Sequence, residues 1–164
     1  MVLLYFYVSL PEVKQIELNL PPFEARIREG SGGKEEIWDP LRKKYVALTP
    51  EEWVRQHMVQ FLLTYLGYPA SHMAVETALR YHEKRKRSDL LVHGSDGKPA
   101  LIVECKAPRI ALSQDVLEQA AMYNMPLQVK YLVLTNGIDL HILFINREEQ
   151  KIEFRERFPR HDEL

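Results

Sequence analysis

The sequence predicts an α/β fold of the α+β type, with a mixed sheet that carries helices on its faces. A helical apolar period follows Thr49, strand-like runs fill 73–106, helical character returns over 113–124, and two further strand-like runs follow within 131–145. A meander of strands followed by a helix and another strand implies a crossover to a parallel strand. The chain has 164 residues and a net charge of −1, which argues against disorder and against nucleic-acid binding through bulk charge.

The first 48 residues predict a β-rich N-terminal extension, in which short β-prone runs alternate with proline and glycine breakers. The runs are 3–8, 23–28, 36–38 and 45–48. We therefore divide the chain into the extension (1–48), a core (49–158) and a short C-terminal tail (159–164).

The clearest predicted helix begins at Thr49-Pro50-Glu51-Glu52, which fits an N-cap, a proline at the first helical position and a capping box. Apolar residues recur on one helical face at Val54, Met58, Phe61, Leu62 and Tyr65. Gly67 is the expected end of the helix.

After this helix the period changes to two. Residues 73–79 alternate, and the runs 89–93 and 100–106 are rich in Leu, Ile and Val, as expected for strands that are buried on both faces. Residues 113–124 return to helical character. Strands are then expected at 131–135, 140–145 and 152–158.

The dipeptide Asp96-Gly97 predicts a two-residue hairpin turn between the runs 89–93 and 100–106. With that turn, Asp89 lies directly opposite Glu104, and the two side chains share one face of the sheet. Lys106 shares the face of Glu104, whereas Cys105 points to the other side.

Two carboxylates that face each other in a partly buried sheet repel, unless a cation lies between them. Oxygen ligands without a Cys or His pair favour Mg²⁺, with Mn²⁺ second. A metal ion and the ammonium of Lys106 suit phosphodiester hydrolysis. The alternative reading of Glu104 and Lys106 is a surface salt-bridge ladder.

These residues resemble the PD-(D/E)xK nuclease fold and, more closely, the N-terminal nuclease domain of type I restriction-enzyme R subunits. The resemblance implies a restriction-endonuclease-like αβββαβ core and Mg²⁺-dependent DNA endonuclease activity. It covers about residues 40–145 and rests on the stretches 49–56, 87–89, 102–108 and 134–137, with Gln119 and Tyr123. Ser88 stands where the motif has its proline.

The resemblance implies that Asp89 and Glu104 bind the metal, with the backbone carbonyl of Cys105 as a further ligand, and that Lys106 assists the attacking water. The single cysteine of the chain excludes an internal disulfide and a cysteine-rich zinc site.

The same resemblance places Gln119 and Tyr123 beside the site, where they help to hold DNA or the lysine. Their spacing also fits an ordinary amphipathic pair. Glu52 is a further candidate metal ligand, and its third helical position equally explains it as a capping residue.

Five basic residues lie shortly before Asp89 and are either a phosphate-binding rim or a solvated hairpin tip: Arg80, Lys84, Arg85, Lys86 and Arg87. The partners we expect are DNA and, because no Walker A lysine occurs, a separate translocase or restriction-modification subunit. A cytoplasmic setting fits the cysteine content, and the resemblance to restriction enzymes implies a prokaryotic one. No apolar run reaches membrane length. The alternatives are a catalytically silent nucleic-acid- or partner-binding module on the same fold, and a structural subunit that forms a homo-oligomer through its apolar N-terminus.

Overall fold

The computed structural model describes residues 16–81, 84–124 and 128–164, and the side chains of these residues except 76–87 and 122–124. Within these residues, two α-helices and nine strands follow one another. They are β1 (Ile27–Glu29), β2 (Glu35–Asp39), β3 (Lys44–Ala47), α1 (Pro50–Gln60), β4 (Met73–Tyr81), β5 (Lys84–His93), β6 (Pro99–Cys105), α2 (Gln114–Asn124), β7 (Tyr131–Thr135), β8 (Leu140–Asn146) and β9 (Lys151–Arg155).

The main sheet has six strands in the order β4-β5-β6-β7-β8-β9, and β1–β3 form a separate antiparallel sheet. In the main sheet, β6 and β7 run parallel, and α2 lies between them in the chain. The other neighbours are antiparallel. This arrangement confirms the predicted α/β fold with a mixed sheet and a helical crossover.

Each face of the main sheet has its own apolar core. On one face, Val54, Met58 and Leu62 from α1 and the turn after it pack against alternate residues of the central strands: Leu90, Val92, Leu101, Val103 and Cys105. On the other face, Ala121 of α2 packs against Leu91, Ile102, Leu132 and Leu143. Cys105 therefore shares a face with Leu90, Val92, Leu101 and Val103, as predicted, and α1 covers this face.

Helix α1 begins as predicted, because the side chain of Thr49 accepts a hydrogen bond from the Glu52 N–H at 3.0 Å. The reciprocal half of the expected capping box is replaced by other contacts, since the Thr49 N–H donates to the Ala47 carbonyl. The last turn widens to a π-helix over Phe61–Tyr65. The chain then turns at Gly67, which has a positive φ of 67°.

The hairpin between β5 and β6 differs from the expected two-residue turn. The Gly94 N–H donates to the Lys98 carbonyl, so the loop contains three residues, and Gly97 adopts a positive φ of 75°. His93 therefore pairs with Pro99, one residue away from the partner that the two-residue turn predicts, and the register shifts between Val92 and His93. The shift leaves Ala100 as an extra residue in β6, and the pairs from Val92–Leu101 to Leu90–Val103 recover the predicted register.

The N-terminal segment packs against the main sheet. The Asn19 N–H donates to the Gly137 carbonyl at 2.7 Å, and Leu18 and Leu20 contact the core under α1. The expected strand at 3–8 lies outside the described residues. Within the described residues, no helix is long and apolar enough to cross a membrane.

Candidate active site

The candidate site lies where β5 and β6 separate. Their described pairing ends at Leu90–Val103, whereas β6 continues beside β7 to the pair Cys105–Thr135, and β5 continues beside β4. One further step in this register would give the predicted pair Asp89–Glu104. Lys106 follows directly after β6, and its N–H donates to the Thr135 carbonyl at 2.8 Å.

The carboxylate of Asp89 joins β6 to α1. Its Oδ2 accepts a hydrogen bond from the Cys105 N–H at 2.7 Å, and its Oδ1 accepts one from Nη2 of Arg55 at 2.9 Å. The Asp89 side chain is only 18% exposed. Two donors from different elements, the Cys105 N–H in β6 and the Arg55 guanidinium in α1, thus fix the orientation of this carboxylate. With only one of these donors, the carboxylate could rotate.

Arg55 projects from α1 into a group of carboxylates. Its guanidinium pairs with Asp89 and Glu52, and more distantly with Glu51 at 3.4 Å. Burial lowers the pKa of Arg55, but the charges of Asp89 and Glu52 outweigh burial and raise it above the usual value. Arg55 therefore stays a fixed cation at the edge of the site.

Glu51, in the first turn of α1, adds a second acid to the site beside Asp89. Burial and then the charge of Asp89 raise the pKa of Glu51, while Arg55 and Lys106 act in the opposite direction. The pKa of Glu51 thus responds to the charges of Asp89, Arg55 and Lys106.

Glu104 and Cys105 complete the group. One carboxylate oxygen of Glu104 is buried. Burial, followed by the charge of Asp89, raises the pKa of the Cys105 thiol well above its ordinary value, and Glu104 adds to this effect. The thiol therefore stays protonated and is unsuited to be a nucleophile.

Glu52 lies in the network behind the site, where other side chains take up both of its carboxylate oxygens. Arg42 and Gln56 donate to Oε1 at 2.6 and 2.9 Å, and Arg55 pairs with Oε2. The carboxylate of Glu52 thus binds side chains of the network rather than only capping the helix, and it is not directed at Asp89 and Lys106. The charges of Asp89 and Lys106 both affect the pKa of Glu51, which immediately precedes Glu52.

The donor set fits a hard divalent cation. In the described part of the chain, five carboxylates lie together with three cations, namely Asp39, Glu51, Glu52, Asp89 and Glu104 against Arg42, Arg55 and Lys106. The excess of negative charge favours a cation. Among the described residues, no group of three or more acidic, His or Cys side chains is already arranged around one metal position. Mg²⁺ commonly uses one or two carboxylates and completes its shell with water and substrate phosphates, so two are sufficient.

Gln119 and Tyr123 both belong to α2, as the spacing predicts. Gln119 is exposed, and the side chain of Tyr123 lies outside the described residues. Helix α2 covers the face of the sheet that carries Leu91 and Ile102, and strand alternation gives Glu104 the same face as Ile102.

The five basic residues lie on the extension of the β4–β5 hairpin beyond β6. In the backbone register, Arg80 lies opposite Arg85, Leu79 opposite Lys86, and Ala78 opposite Arg87. The side chains of this segment lie outside the described residues. The strand positions alone place a concentration of positive charge on the two-stranded segment that leads into Asp89.

The sequence interpretation missed Arg55, Glu51, Arg42 and Asp39. Arg55 follows Glu51 by four residues and Glu52 by three, which is the spacing of ion pairs on a helix, so a signal was present for this residue. Arg42 and Asp39 carry no comparable signal for their contacts with α1, because Glu52, the partner of Arg42, and Gln56, the partner of Asp39, belong to another element.

Comparisons with known proteins agree with this architecture. The family model of the type I restriction enzyme R protein N terminus matches residues 50–159. Among solved structures, a fragment assigned as an HsdR subunit of a type I restriction enzyme from Vibrio vulnificus YJ016 is similar, with 24% identity and a TM-score of 0.51. The alignment covers 71% of this chain and 24% of that one, so this chain spans about a quarter of its relative's length. A comparison with curated proteins finds no match.

Proposed function

The chain belongs to the family of type I restriction enzyme R protein N termini, and from that premise we propose that it is a Mg²⁺-dependent DNA endonuclease of the PD-(D/E)xK type. The observation that carries the proposal is the Asp89 carboxylate, held between Arg55 and the Cys105 N–H at the point where β5 and β6 separate. Phosphodiester hydrolysis requires acidic oxygens for a metal and a cation for developing charge in one place.

Asp89 and Glu104 would hold Mg²⁺ or Mn²⁺, with the Cys105 carbonyl as a further ligand. When bound, the ion would lower the pKa of a water and neutralise charge on the phosphate oxygens. Lys106 supplies an ammonium whose charge acts on Glu51, and we assign it to orienting a water or to stabilising the phosphate in the transition state.

DNA is the proposed substrate. The basic segment of β4 and β5 (Arg80, Lys84, Arg85, Lys86 and Arg87) would contact phosphates beside the site, and Gln119 and Tyr123 of α2 would hold the strand from the other side. Replacing Arg85 by alanine should reduce the slope of log affinity against log salt by about 0.9 for each lost phosphate contact.

The test of the hydrolytic proposal is nicking of supercoiled plasmid by the full chain in Mg²⁺ or Mn²⁺. Glu104→Gln and Lys106→Ala should each abolish nicking, whereas the β9 controls Glu153→Gln and Lys151→Ala should cut as the wild type does. Equal cutting by all five proteins would show that the activity is a contaminant, and loss in the controls would show that the assay reports folding.

A catalytically silent binding module on the same fold is the second candidate. It is favoured by one observation, namely that protein donors already contact both oxygens of Asp89. It predicts salt-dependent DNA binding that neither Mg²⁺ nor Glu104→Gln changes, whereas a metal-dependent site predicts that Mg²⁺ strengthens binding only when Glu104 is intact.

We further propose that the chain acts with a separate translocase or another restriction-modification subunit. The alignment with the similar R-subunit fragment covers 24% of that fragment. Co-purification of this chain with such a subunit, and stimulation of nicking by that subunit and ATP, would support the proposal. Full activity of the chain alone without ATP would contradict it.

A further inference from the structure

A buried series of charges connects the N-terminal sheet to the candidate active site. It begins at Asp39, the last residue of β2, which is fully buried. The Asp39 carboxylate accepts hydrogen bonds from the N–H groups of Leu41 and Arg42 at 2.8 and 2.9 Å, and from Gln56 at 3.0 Å. Asp39 is thus a fixed anchor that joins the N-terminal sheet to α1.

Arg42 continues the series in both directions. Its Nε donates to Asp39 at 2.5 Å and its Nη2 donates to Glu52 at 2.6 Å, and its side chain is only 13% exposed. Glu52 pairs with Arg55, and Arg55 pairs with Asp89. Acid and base therefore alternate without interruption from β2 to the carboxylate that we assign to the metal.

We propose that Arg42 is a positioning residue for Asp89, acting through Glu52 and Arg55 and anchored by Asp39. This inference rests on the proposed function, because it gives Asp89 the role of a metal ligand. The family match begins at residue 50, so Arg42 and Asp39 are contributed by the part of this chain that precedes it.

The planar guanidinium explains why an arginine occupies this position. Its rigid fork of donors contacts two carboxylates at once, which fixes the rotamer of Glu52. A fixed Glu52 holds one end of the Arg55 guanidinium and leaves Nη2 directed at Asp89. A lysine keeps the charge but offers a single ammonium that lacks this fork.

The first experiment reads the position of Asp89 without metal or DNA. The Cys105 N–H donates to Asp89 Oδ2, so its amide resonance in ¹⁵N NMR spectra reports that contact. Arg42→Lys in the full chain should shift this resonance and accelerate its hydrogen exchange. The control Arg28→Lys changes an exposed ion pair with Glu36 in the same N-terminal sheet and should leave it unchanged. An unchanged Cys105 amide in a folded Arg42→Lys protein would overturn the proposal.

The second experiment measures Mn²⁺ binding by calorimetry. Arg42→Lys should weaken Mn²⁺ binding about tenfold, the lower end of what outer partners of metal ligands contribute, while Arg28→Lys binds normally. Because Arg42 acts through Arg55, the double variant Arg42→Lys/Arg55→Lys should bind no more weakly than Arg55→Lys alone. Additive losses would show that Arg42 acts by another route and would overturn the proposed series.

The two experiments separate this inference from the proposed function. If the wild type binds no Mn²⁺, or if Glu104→Gln leaves binding unchanged, the proposed metal site is wrong. A shifted Cys105 amide in Arg42→Lys would then still establish that Arg42 positions Asp89. Normal Mn²⁺ binding that depends on Glu104, together with an unaffected Cys105 amide, would reject the inference and retain the metal site.

Discussion

Replacing Arg55 by methionine tests whether the buried ion pairs hold α1 against the main sheet. Methionine keeps much of the side-chain length and removes the charge. The Arg55 side chain is 7% exposed, and its partners Glu52 and Asp89 are 7% and 18% exposed. Without Arg55, the nearly buried Asp89 loses its cation, and Glu52 keeps only its pair with Arg42. The third partner, Glu51, is 45% exposed at 3.4 Å and contributes little.

The expected loss follows from these contacts. Removing one partner of a buried pair costs about 3–5 kcal/mol. Arg55 Nε is buried with no partner among the described residues, and its removal recovers about 1 kcal/mol. The net destabilisation should therefore be about 3 kcal/mol.

Urea unfolding followed by tryptophan fluorescence measures this change, because Trp53 lies on α1 and is 8% exposed. The control is Arg160→Met, whose ion pairs with Asp162 and Glu163 are on the surface, and which should cost less than about 1 kcal/mol. A loss for Arg55→Met no larger than that of the control would refute the view that this network stabilises the fold.

Three further predictions concern other parts of the molecule. Burial lowers the pKa of His57, so below about pH 6.5 the unfolded chain binds a proton that the folded chain does not bind. The free energy of unfolding should therefore decrease as the pH is lowered, and His57→Gln should weaken this dependence in melting curves recorded from pH 7 to 5. Gly137→Ala should destabilise the fold by more than about 1 kcal/mol in urea unfolding, because φ is 84° and the added Cβ would lie 2.8 Å from Leu18; an unchanged midpoint would contradict the packing of the N-terminal segment. Tyr68→Phe should cost about 1 kcal/mol in the same assay, since its buried hydroxyl donates to the Pro159 carbonyl at 2.5 Å, and no loss would show that this bond is unimportant.

Local patterns in the sequence predicted most elements, because the signals for them are local. The N-cap at Thr49 and the apolar face of α1 appear where expected, and the strands at 131–135 and 140–146 begin as predicted. Tyr65 is the exception on the predicted face of α1. It is 57% exposed, since the last turn widens to a π-helix and rotates the apolar stripe.

The register of the β5–β6 hairpin was predicted correctly from an incorrect turn. The three-residue loop at Ser95–Gly97 shifts the pairing by one residue, and the extra residue Ala100 shifts it back. The Ala100 carbonyl accepts a hydrogen bond from the Lys130 N–H at 3.0 Å, a contact with the segment before β7. A bulge stabilised by such a distant partner has no local signal, so only the structure reveals that the two shifts cancel.

The site was predictable where it depended on strand alternation and unpredictable where it depended on packing between elements. Alternation alone gave Glu104 and Lys106 a common face and turned Cys105 away. Arg42, one partner of Glu52, lies 10 residues earlier in the chain, and Arg55, one partner of Asp89, lies 34 residues earlier. Spacing within one element cannot predict either contact.

The buried charges have a cost that argues for a role beyond stability. Apolar residues of similar volume often replace a buried ion pair without loss of stability, so a fold needs no series such as Asp39–Arg42–Glu52–Arg55 to remain folded. What an apolar replacement could not supply is a cation held at 2.9 Å from Asp89 in one orientation. Because a metal ligand must be oriented before the metal arrives, the series has the properties expected of a support for Asp89. A fully apolar replacement of all four residues should therefore leave a folded protein in which Asp89 has lost its fixed orientation.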